Sequence, residues 1–467
     1  MRENVQMFTV AEVVSFVAGR LAQGNPQAPL AGVSTDTRTL APGELFVALP
    51  GEQFDGHGFI SQAARGHAGA VLVSAAWAGA HPATLAELPL PVIVAADTIA
   101  ALGNLAAGHR RRFSLPVIAI TGSCGKTTTK EMAAAVLSGR LCVLKSEKSF
   151  NNHIGVPLTL LRLRPEHQAA VLELGMNHAG EIRHLARMAA PTMAVITMVG
   201  QAHREAFQDE RGILAAKCEL LEELSPAQPA MINGDCPELR RQVCRYPLSL
   251  TFFGIESDCQ VRARDISIGW RQTSFAVAGG GNFTVPLPGR HNVYNALAAI
   301  AVARTLGVPD AVIRERLTAA PPSPGRMERR QLNRREFLAD CYNANPDSMA
   351  AALRTLSDIR GRRRAFAVLG DMLELGAAGE QAHRQVGALA ASLSLEGLFT
   401  VGERARDIGA GASAAGMPSE RVRHCRSLAD AAAAVRECSQ AGDVILLKAS
   451  RRMKLETIMD LLQPWTQ

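Results

Sequence analysis

The segment Thr121-Gly122-Ser123-Cys124-Gly125-Lys126-Thr127-Thr128 follows the apolar run Val117–Ile120 and leads into a helical pattern, Glu131 to Leu137. A strand, a small-residue loop and a helix in that order form a phosphate cradle within an α/β fold. Small residues let backbone N–H groups turn inward at a helix N-terminus, Lys126 brings a point charge for the β- and γ-phosphates, and the Thr127 hydroxyl suits Mg²⁺. ATP is the ligand this predicts. The longest form of the pattern asks for glycine at position 120, where this chain has Ile120, but the shorter Gly-x-x-Gly-Lys-Thr form is intact.

The flanking chain agrees. Short apolar runs at Leu45–Leu49, Ala70–Val73 and Val92–Ala95 sit between Gly/Pro/Asp turns and predict a small α/β unit over 1–95. Over 96–322, the runs Val117–Ile120, Ala169–Leu172, Met193–Ile196 and Ala230–Ile232 alternate with helical patterns, as in a mostly parallel sheet covered on both faces. A β-like patch, Gln260 to Val285, precedes an alanine-rich helix, Val293 to Leu306. The Pro321-Pro322-Ser323-Pro324-Gly325 linker then opens a third domain, 323–467, with buried strands at Phe337–Asp340, Phe366–Leu369, Leu398–Val401 and Val444–Leu447.

Composition narrows the function classes. With 467 residues, 47% of them hydrophobic, each domain can build a core. The net charge of +7 is spread over short clusters such as Arg110-Arg111-Arg112 and Arg362-Arg363-Arg364, and aromatics make up only 4%, so a nucleic-acid platform is not expected. Nine cysteines without a metal-like spacing read as reduced thiols, and neither a signal peptide nor a membrane span is apparent. The expectation is a cytoplasmic, monomeric enzyme acting on anionic small molecules.

Several polar groups sit where open α/β sheets hold ligands, beyond the carboxyl ends of strands. Glu173 ends the run Ala169–Leu172 and is a candidate Mg²⁺ ligand or the partner of a lysine; His203, beyond Met193–Ile196, is a candidate metal ligand or a surface histidine. Lys217 lies in a helical pattern that by itself reads as a solvated lysine. Asp340-Cys341-Tyr342-Asn343-Ala344-Asn345 leaves a strand and enters a helix at Pro346, as a ligand loop or a capped turn. Lys448, Ser450 and Arg451 follow Val444–Leu447 and offer cations and a hydroxyl to a carboxylate or phosphate, or form a basic cap.

Taken together these motifs resemble the Mur ligases, the ATP-dependent amide-forming enzymes of peptidoglycan precursor synthesis. Ser34-Thr35-Asp36-Thr37-Arg38, Pro42–Leu49 and Phe54-Asp55-Gly56-His57 resemble the uridine-substrate domain of that family. Asn151-Asn152-His153-Ile154-Gly155-Val156-Pro157, Glu173–Ile182, Tyr342–Pro346 and Gly370–Gly376 resemble the dipeptide-adding branch. The resemblance implies three domains: a small α/β substrate domain, a central P-loop-type ATPase domain and a C-terminal Rossmann-like domain. It implies ATP at Gly122, Ser123, Cys124, Gly125, Lys126, Thr127 and Thr128. Adenine is implied near Asn292 and Asn295, with further nucleotide contacts from Arg326, Asp340, Tyr342 and Asn343. Two Mg²⁺ are implied at Thr127, Glu173, His203 and a carbamylated Lys217, since a carbamate turns a cation into an anionic oxygen donor. Lys126, Lys217, His203 and Arg326 are the implied catalytic group. Substrate contacts are implied at Ser34, Thr35, Asp36, Arg38, Phe54, Asp55, Gly56, His57, Asn151, Asn152, Lys448, Ser450 and Arg451. Met198 stands where the family commonly has asparagine, and Ala449 where it has glycine.

The activity implied is addition of D-alanyl-D-alanine to UDP-N-acetylmuramoyl-tripeptide through an acyl phosphate. The alternatives are a relative adding a single amino acid and a P-loop NTPase that is not a ligase.

Overall fold

A computed structural model of the chain describes residues 6–51, 54–200, 205, 207 and 209–463. These pack as two compact units that do not follow sequence order. One comprises Met1–Val117, Leu144–Leu174 and Arg183–Pro191, and the other Ile118–Val143, Gly175–Ile182 and Thr192–Gln467.

In the first unit a five-stranded sheet runs in the order Arg20–Gln23, Val92–Ala95, Ala70–Ser74, Leu45–Val47, Val33–Ser34. Its last four strands are parallel and Arg20–Gln23 is an antiparallel edge. The inner strands Leu45–Val47 and Val92–Ala95 are buried end to end and Ala70–Ser74 all but its last residue, which is why they read as continuous apolar runs rather than alternating ones. Phe46, Ile60, Val71, Val73 and Val92 form the core of this sheet and its helix Ile60–Arg65. The helix Thr98–Arg110 is capped by Asp97, whose carboxylate accepts from the N–H groups of Ile99 and Ala100.

The second unit contains two sheets. In one, Val117–Thr121, Met193–Ile196, Pro229–Asn233, Ser249–Gly254 and Val261–Ile268 pair in parallel succession. The expected β patch follows as an antiparallel meander with Thr273–Val277 and Gly281–Val285. The helix after the glycine loop begins at Lys126 rather than at Glu131, and the alanine-rich helix spans Arg290–Thr305.

The other sheet has six strands in the order Glu328–Leu332, Arg335–Ala339, Val444–Lys448, Ala365–Gly370, Gly397–Val401, Val422–Cys425. All pairs are parallel except the first. Leu338, Leu353, Leu356 and Leu369 fill one face, and Phe337, Phe366, Ile445 and Ile458 the other. Each such side chain contributes about 1.5–3 kcal/mol on burial, so the sheet holds a fixed platform whose carboxyl edge carries Asp340 and Lys448. Ala449 is fully buried there, and a Cβ added to Gly370 would lie 2.7 Å from its methyl. Glycine at 370 therefore leaves the space that the alanine fills. Among the described residues no helix is long and apolar enough to cross a membrane.

Candidate active site

The loop Gly122–Gly125 leaves the strand Val117–Thr121 at its carboxyl end, beside the parallel strand Met193–Ile196. Two glycines make its shape possible. Gly122 has φ +150° and Gly125 φ +84°, where a side chain is strained; a Cβ on the first would lie 1.9 Å from Thr197 Oγ1 and on the second 2.3 Å from Asn295 Oδ1. The neighbouring strand end holds the loop down. Thr197 Oγ1 donates to the Cys124 carbonyl at 2.5 Å, Ser123 N–H donates to the Met198 carbonyl at 2.9 Å, and Gly200 N–H donates to Ser123 Oγ at 3.0 Å. Met198 thus serves this loop through its backbone. Asn233 Nδ2 in turn donates to the Thr197 carbonyl at 2.7 Å.

From Gly125 the chain enters the helix Lys126–Leu137, whose N-terminal N–H groups and dipole favour an anion. Lys126 Nζ donates to the Gly122 carbonyl at 2.8 Å, which folds its charge over the loop. Thr127 is buried, Thr128 half-buried. Cys124 contributes more than backbone: its thiol lies 3.3 Å from Asn345 Oδ1 and 3.2 Å from Asn345 Nδ2. Burial, and then the nearby Asp347 charge, push that thiol above its ordinary pKa, so it stays protonated and able to donate.

Residues from the six-stranded sheet meet the loop. Arg326 Nη2 donates to Thr127 Oγ1 at 2.8 Å, and its guanidinium stacks 4.3 Å over the Tyr342 ring. Asp340 Oδ1 accepts from Met327 N–H at 3.2 Å, while Oδ2 lies 2.6 Å from Lys448 Nζ. Lys448 also donates to the Asn343 carbonyl at 2.9 Å. Asn343 Oδ1 accepts from Ala344 N–H. Asn345 caps the helix Pro346–Arg360 in a capping box with Ser348.

Lys217 lies in the helix Glu210–Glu222 at 1% exposure. Burial first, and then the Lys126 charge, hold its amine well below the ordinary lysine range. A buried ammonium is no ligand for a cation, whereas a neutral amine is the form that takes up CO₂. Glu173, at 1% exposure in the first unit, accepts from Asn151 Nδ2 at 2.7 Å, and its N–H donates to Ser146 Oγ at 3.2 Å. A buried carboxylate such as that of Glu173 is a donor type that suits a hard divalent cation, and within the other unit the Thr127 hydroxyl is another. His203 lies outside the described residues.

Several expected ligand groups are engaged internally. Asn292 Nδ2 donates to the Pro288 carbonyl at 2.8 Å, and Asn295 Nδ2 to Asn292 Oδ1 at 3.1 Å. Lys448 is 1% exposed, and Ser450 Oγ accepts from Leu373 N–H at 2.9 Å, so both brace the carboxyl edge of their sheet. Arg451 is exposed and paired with Glu456. Asn152 Oδ1 accepts from the N–H groups of Ile154 and Gly155 at the start of the helix Gly155–Leu160.

The first unit carries its own polar surface. Ser34 and Asp36 form a turn in which Arg38, 84% exposed at its side chain, meets the Asp36 carboxylate at 2.6 Å. That hydrogen-bonded guanidinium lowers Asp36 to about 2. Thr35 beside them is half-buried. His57 is buried: Nδ1 lies 2.6 Å from Asp55 Oδ1 and Nε2 accepts from Ser74 N–H at 3.0 Å, which assigns the proton to Nδ1. The N–H of His57 also lowers the Asp55 pKa. Gly56 permits a close approach, since a Cβ there would lie 2.7 Å from Leu49 N. Phe54, 72% exposed, leaves an apolar ring on this surface. Thr197, Asn233, Ser146 and Asn345 were not singled out as site residues by sequence; only the strand ends before Thr197 and Asn345 hinted at them.

Comparison with known proteins follows the same outline. Residues 29–110 match the Mur ligase family catalytic domain, 120–303 the Mur ligase middle domain and 325–451 the Mur ligase glutamate ligase domain. The chain is 37% identical over 461 residues to the UDP-N-acetylmuramoyl-tripeptide–D-alanyl-D-alanine ligase of Bacillus subtilis, covering 97% of this chain and 98% of that protein. It is 36% identical over 467 residues to the Escherichia coli protein of that name, with the same shares covered. Among solved structures it is similar to MurF from Acinetobacter baumannii, with TM-score 0.86 and 32% identity over 98% of this chain and 99% of that one. It is also similar to MurF ligase from Thermotoga maritima in complex with ADP, with TM-score 0.79 and 28% identity over 92% and 96%.

Proposed function

This chain belongs to the Mur ligase family, and from that premise we propose that it joins D-alanyl-D-alanine to UDP-N-acetylmuramoyl-tripeptide at the cost of ATP. The product is UDP-N-acetylmuramoyl-pentapeptide, a peptidoglycan precursor. The observation that carries the reading is the contact of Arg326 with Thr127, because it brings a guanidinium to the first turn after the glycine loop. We assign the substrate, ATP-binding and ligase domains to 1–95, 96–322 and 323–467, in a monomeric cytoplasmic enzyme.

A carboxylate does not exchange oxide for an amine, so the terminal carboxylate of the tripeptide first attacks the γ-phosphorus of ATP and ADP leaves. The acyl phosphate then accepts the unprotonated amine of D-alanyl-D-alanine. Its tetrahedral adduct collapses by breaking the C–O bond to phosphate, forming the amide. In this scheme the N–H groups of Gly122–Thr128 hold the phosphates, and Lys126 and Arg326 neutralise charge on the group in transfer. Asn292 and Asn295 approach adenine, and Arg326, Asp340, Tyr342 and Asn343 contact the nucleotide. Asp340 is held for that task by Lys448, and the loop beyond it by Ser450. Arg451, Asn151 and Asn152 are assigned to the substrate, and Ser34, Thr35, Asp36, Arg38, Phe54, Asp55, Gly56 and His57 to its uridine part.

Thr127, Glu173, His203 and a carbamylated Lys217 would hold Mg²⁺, two ions in all, and the burial that disfavours the charged form of the Lys217 amine supports the carbamate. Bound there, Mg²⁺ supplies charge neutralisation on phosphoryl oxygens. Holding three reactants in line is worth effective molarities on the order of 10⁵–10⁸ M, and exclusion of water protects the acyl phosphate.

The test combines purified protein, ATP, Mg²⁺, D-alanyl-D-alanine and the UDP-muramoyl-tripeptide, with products identified by mass. The reading expects a UDP-muramoyl-pentapeptide and ADP release that needs both acceptors. ADP release without either acceptor would instead mark a non-ligase NTPase, and a product lengthened by one residue a single-amino-acid ligase.

A further inference from the structure

Thr129 sits in the first turn of the helix Lys126–Leu137 and is fully buried, out of reach of any ligand. Its hydroxyl donates to Asn295 Oδ1 at 3.2 Å, across to the helix Arg290–Thr305. Its N–H donates to the Gly125 carbonyl at 2.8 Å. Asn295 Oδ1 is also the atom that a Cβ on Gly125 would meet at 2.3 Å. Thr129 therefore holds both the loop's second glycine and the carboxamide oxygen lying against it.

The polarity of this network is fixed from its far end. The Pro288 carbonyl only accepts, so Asn292 must turn Nδ2 toward it at 2.8 Å and Oδ1 toward Asn295 Nδ2 at 3.1 Å. Asn295 Oδ1 is left facing Gly125 and Thr129, and the Thr129 hydroxyl is its donor. Chained hydrogen bonds of this kind reinforce one another and set one amide orientation. We infer that Thr129 is a positioning residue of the phosphate loop: it fixes the Asn295 carboxamide under Gly125 and so sets the loop's shape for nucleotide. The inference rests on the nucleotide-loop reading above.

The test uses the full-length protein and ADP titrated by calorimetry, with Thr129→Val, which removes the donor at nearly equal volume, and Thr129→Ser, which keeps it. Loss of one buried hydrogen bond predicts ADP binding weakened about fivefold to tenfold in the valine variant, against less than about twofold in the serine variant. The KM for the UDP-muramoyl substrate stays unchanged, and Thr129→Val adds nothing further on an Asn295→Ala background. A valine variant that binds ADP as the wild type does would overturn the inference while leaving the ligase reading in place. Equal losses of ADP affinity and UDP-substrate affinity would also overturn it, as a purely structural effect. Wild-type protein that binds no ADP would remove the nucleotide reading, and the inference with it.

Discussion

Arg326 and Thr127, 199 positions apart in sequence, share a 2.8 Å hydrogen bond in which the guanidinium donates to the hydroxyl. The same guanidinium lies 4.3 Å from the centre of the Tyr342 ring. One side chain thus ties the tyrosine loop of the six-stranded sheet to the first turn of the phosphate-loop helix.

Removing that side chain should cost catalysis more than folding. Arg326→Ala is expected to lower kcat/KM by about 10²–10³-fold, as loss of a transition-state cation does. Arg326→Lys should recover little, because an ammonium has neither the planar fork nor the stacking surface. Steady-state ADP formation at saturating acceptors checks both; near-normal turnover in either variant would remove Arg326 from the mechanism.

The two lysines should behave differently from each other. Lys126→Ala is expected to lose about 10³-fold or more in ligation without rescue, since it removes charge at the phosphates. Lys217→Ala should lose activity that short carboxylates such as formate partly restore, because they replace an anionic oxygen donor. Rates with and without added acid separate the cases, and full activity of Lys217→Ala in plain buffer would make that lysine structural only.

Gly125→Ala should fold and fail to bind nucleotide well. Its backbone sits at φ +84°, and the new methyl would press on Asn295 Oδ1 at 2.3 Å. A left-handed alanine costs roughly 1–2 kcal/mol, and relief of the clash deforms the loop. ADP affinity should fall at least about tenfold with the circular dichroism spectrum retained; unchanged affinity would contradict the geometry.

Acid stability should carry the mark of a buried histidine. His109, 3% exposed between Phe8 and Phe113, hydrogen-bonds the Leu163 carbonyl through Nε2, and burial lowers its pKa from 6.5 to about 4. Between those values the unfolded chain binds the extra proton. The contribution is therefore complete above pH 6.5 and declines as pH falls toward 4, by up to about 3 kcal/mol. Denaturation midpoints across that range should fall less steeply in His109→Gln, which keeps a donor and does not titrate; parallel curves for the two proteins would exclude this histidine as the cause.

Much of the fold was readable because buried parallel strands are continuous apolar runs, as in Val444–Lys448, and because the glycine loop has a fixed residue spacing. Strands that break this rule were missed. Glu328–Leu332 is an edge strand carrying Arg329 and Arg330, and an edge tolerates charge that an interior strand does not. Within the site, residue types were legible and their partners were not. Lys448 read as a ligand-facing cation or a basic cap, and its partner Asp340, 108 positions away, was not legible. Cys124 read as one of the small residues of the loop, yet its thiol meets Asn345, 221 positions away. Such pairings are set by how the sheets stack, which local periodicity does not encode.

The acyl phosphate is the centre of the account, and an oxygen label reports on it directly. UDP-muramoyl-tripeptide carrying ¹⁸O in its terminal carboxylate is turned over with ATP and D-alanyl-D-alanine, and the released phosphate is weighed by mass spectrometry. The account predicts one labelled oxygen transferred from the peptide acid to each inorganic phosphate formed. Inorganic phosphate without label, alongside a completed amide bond, would contradict it.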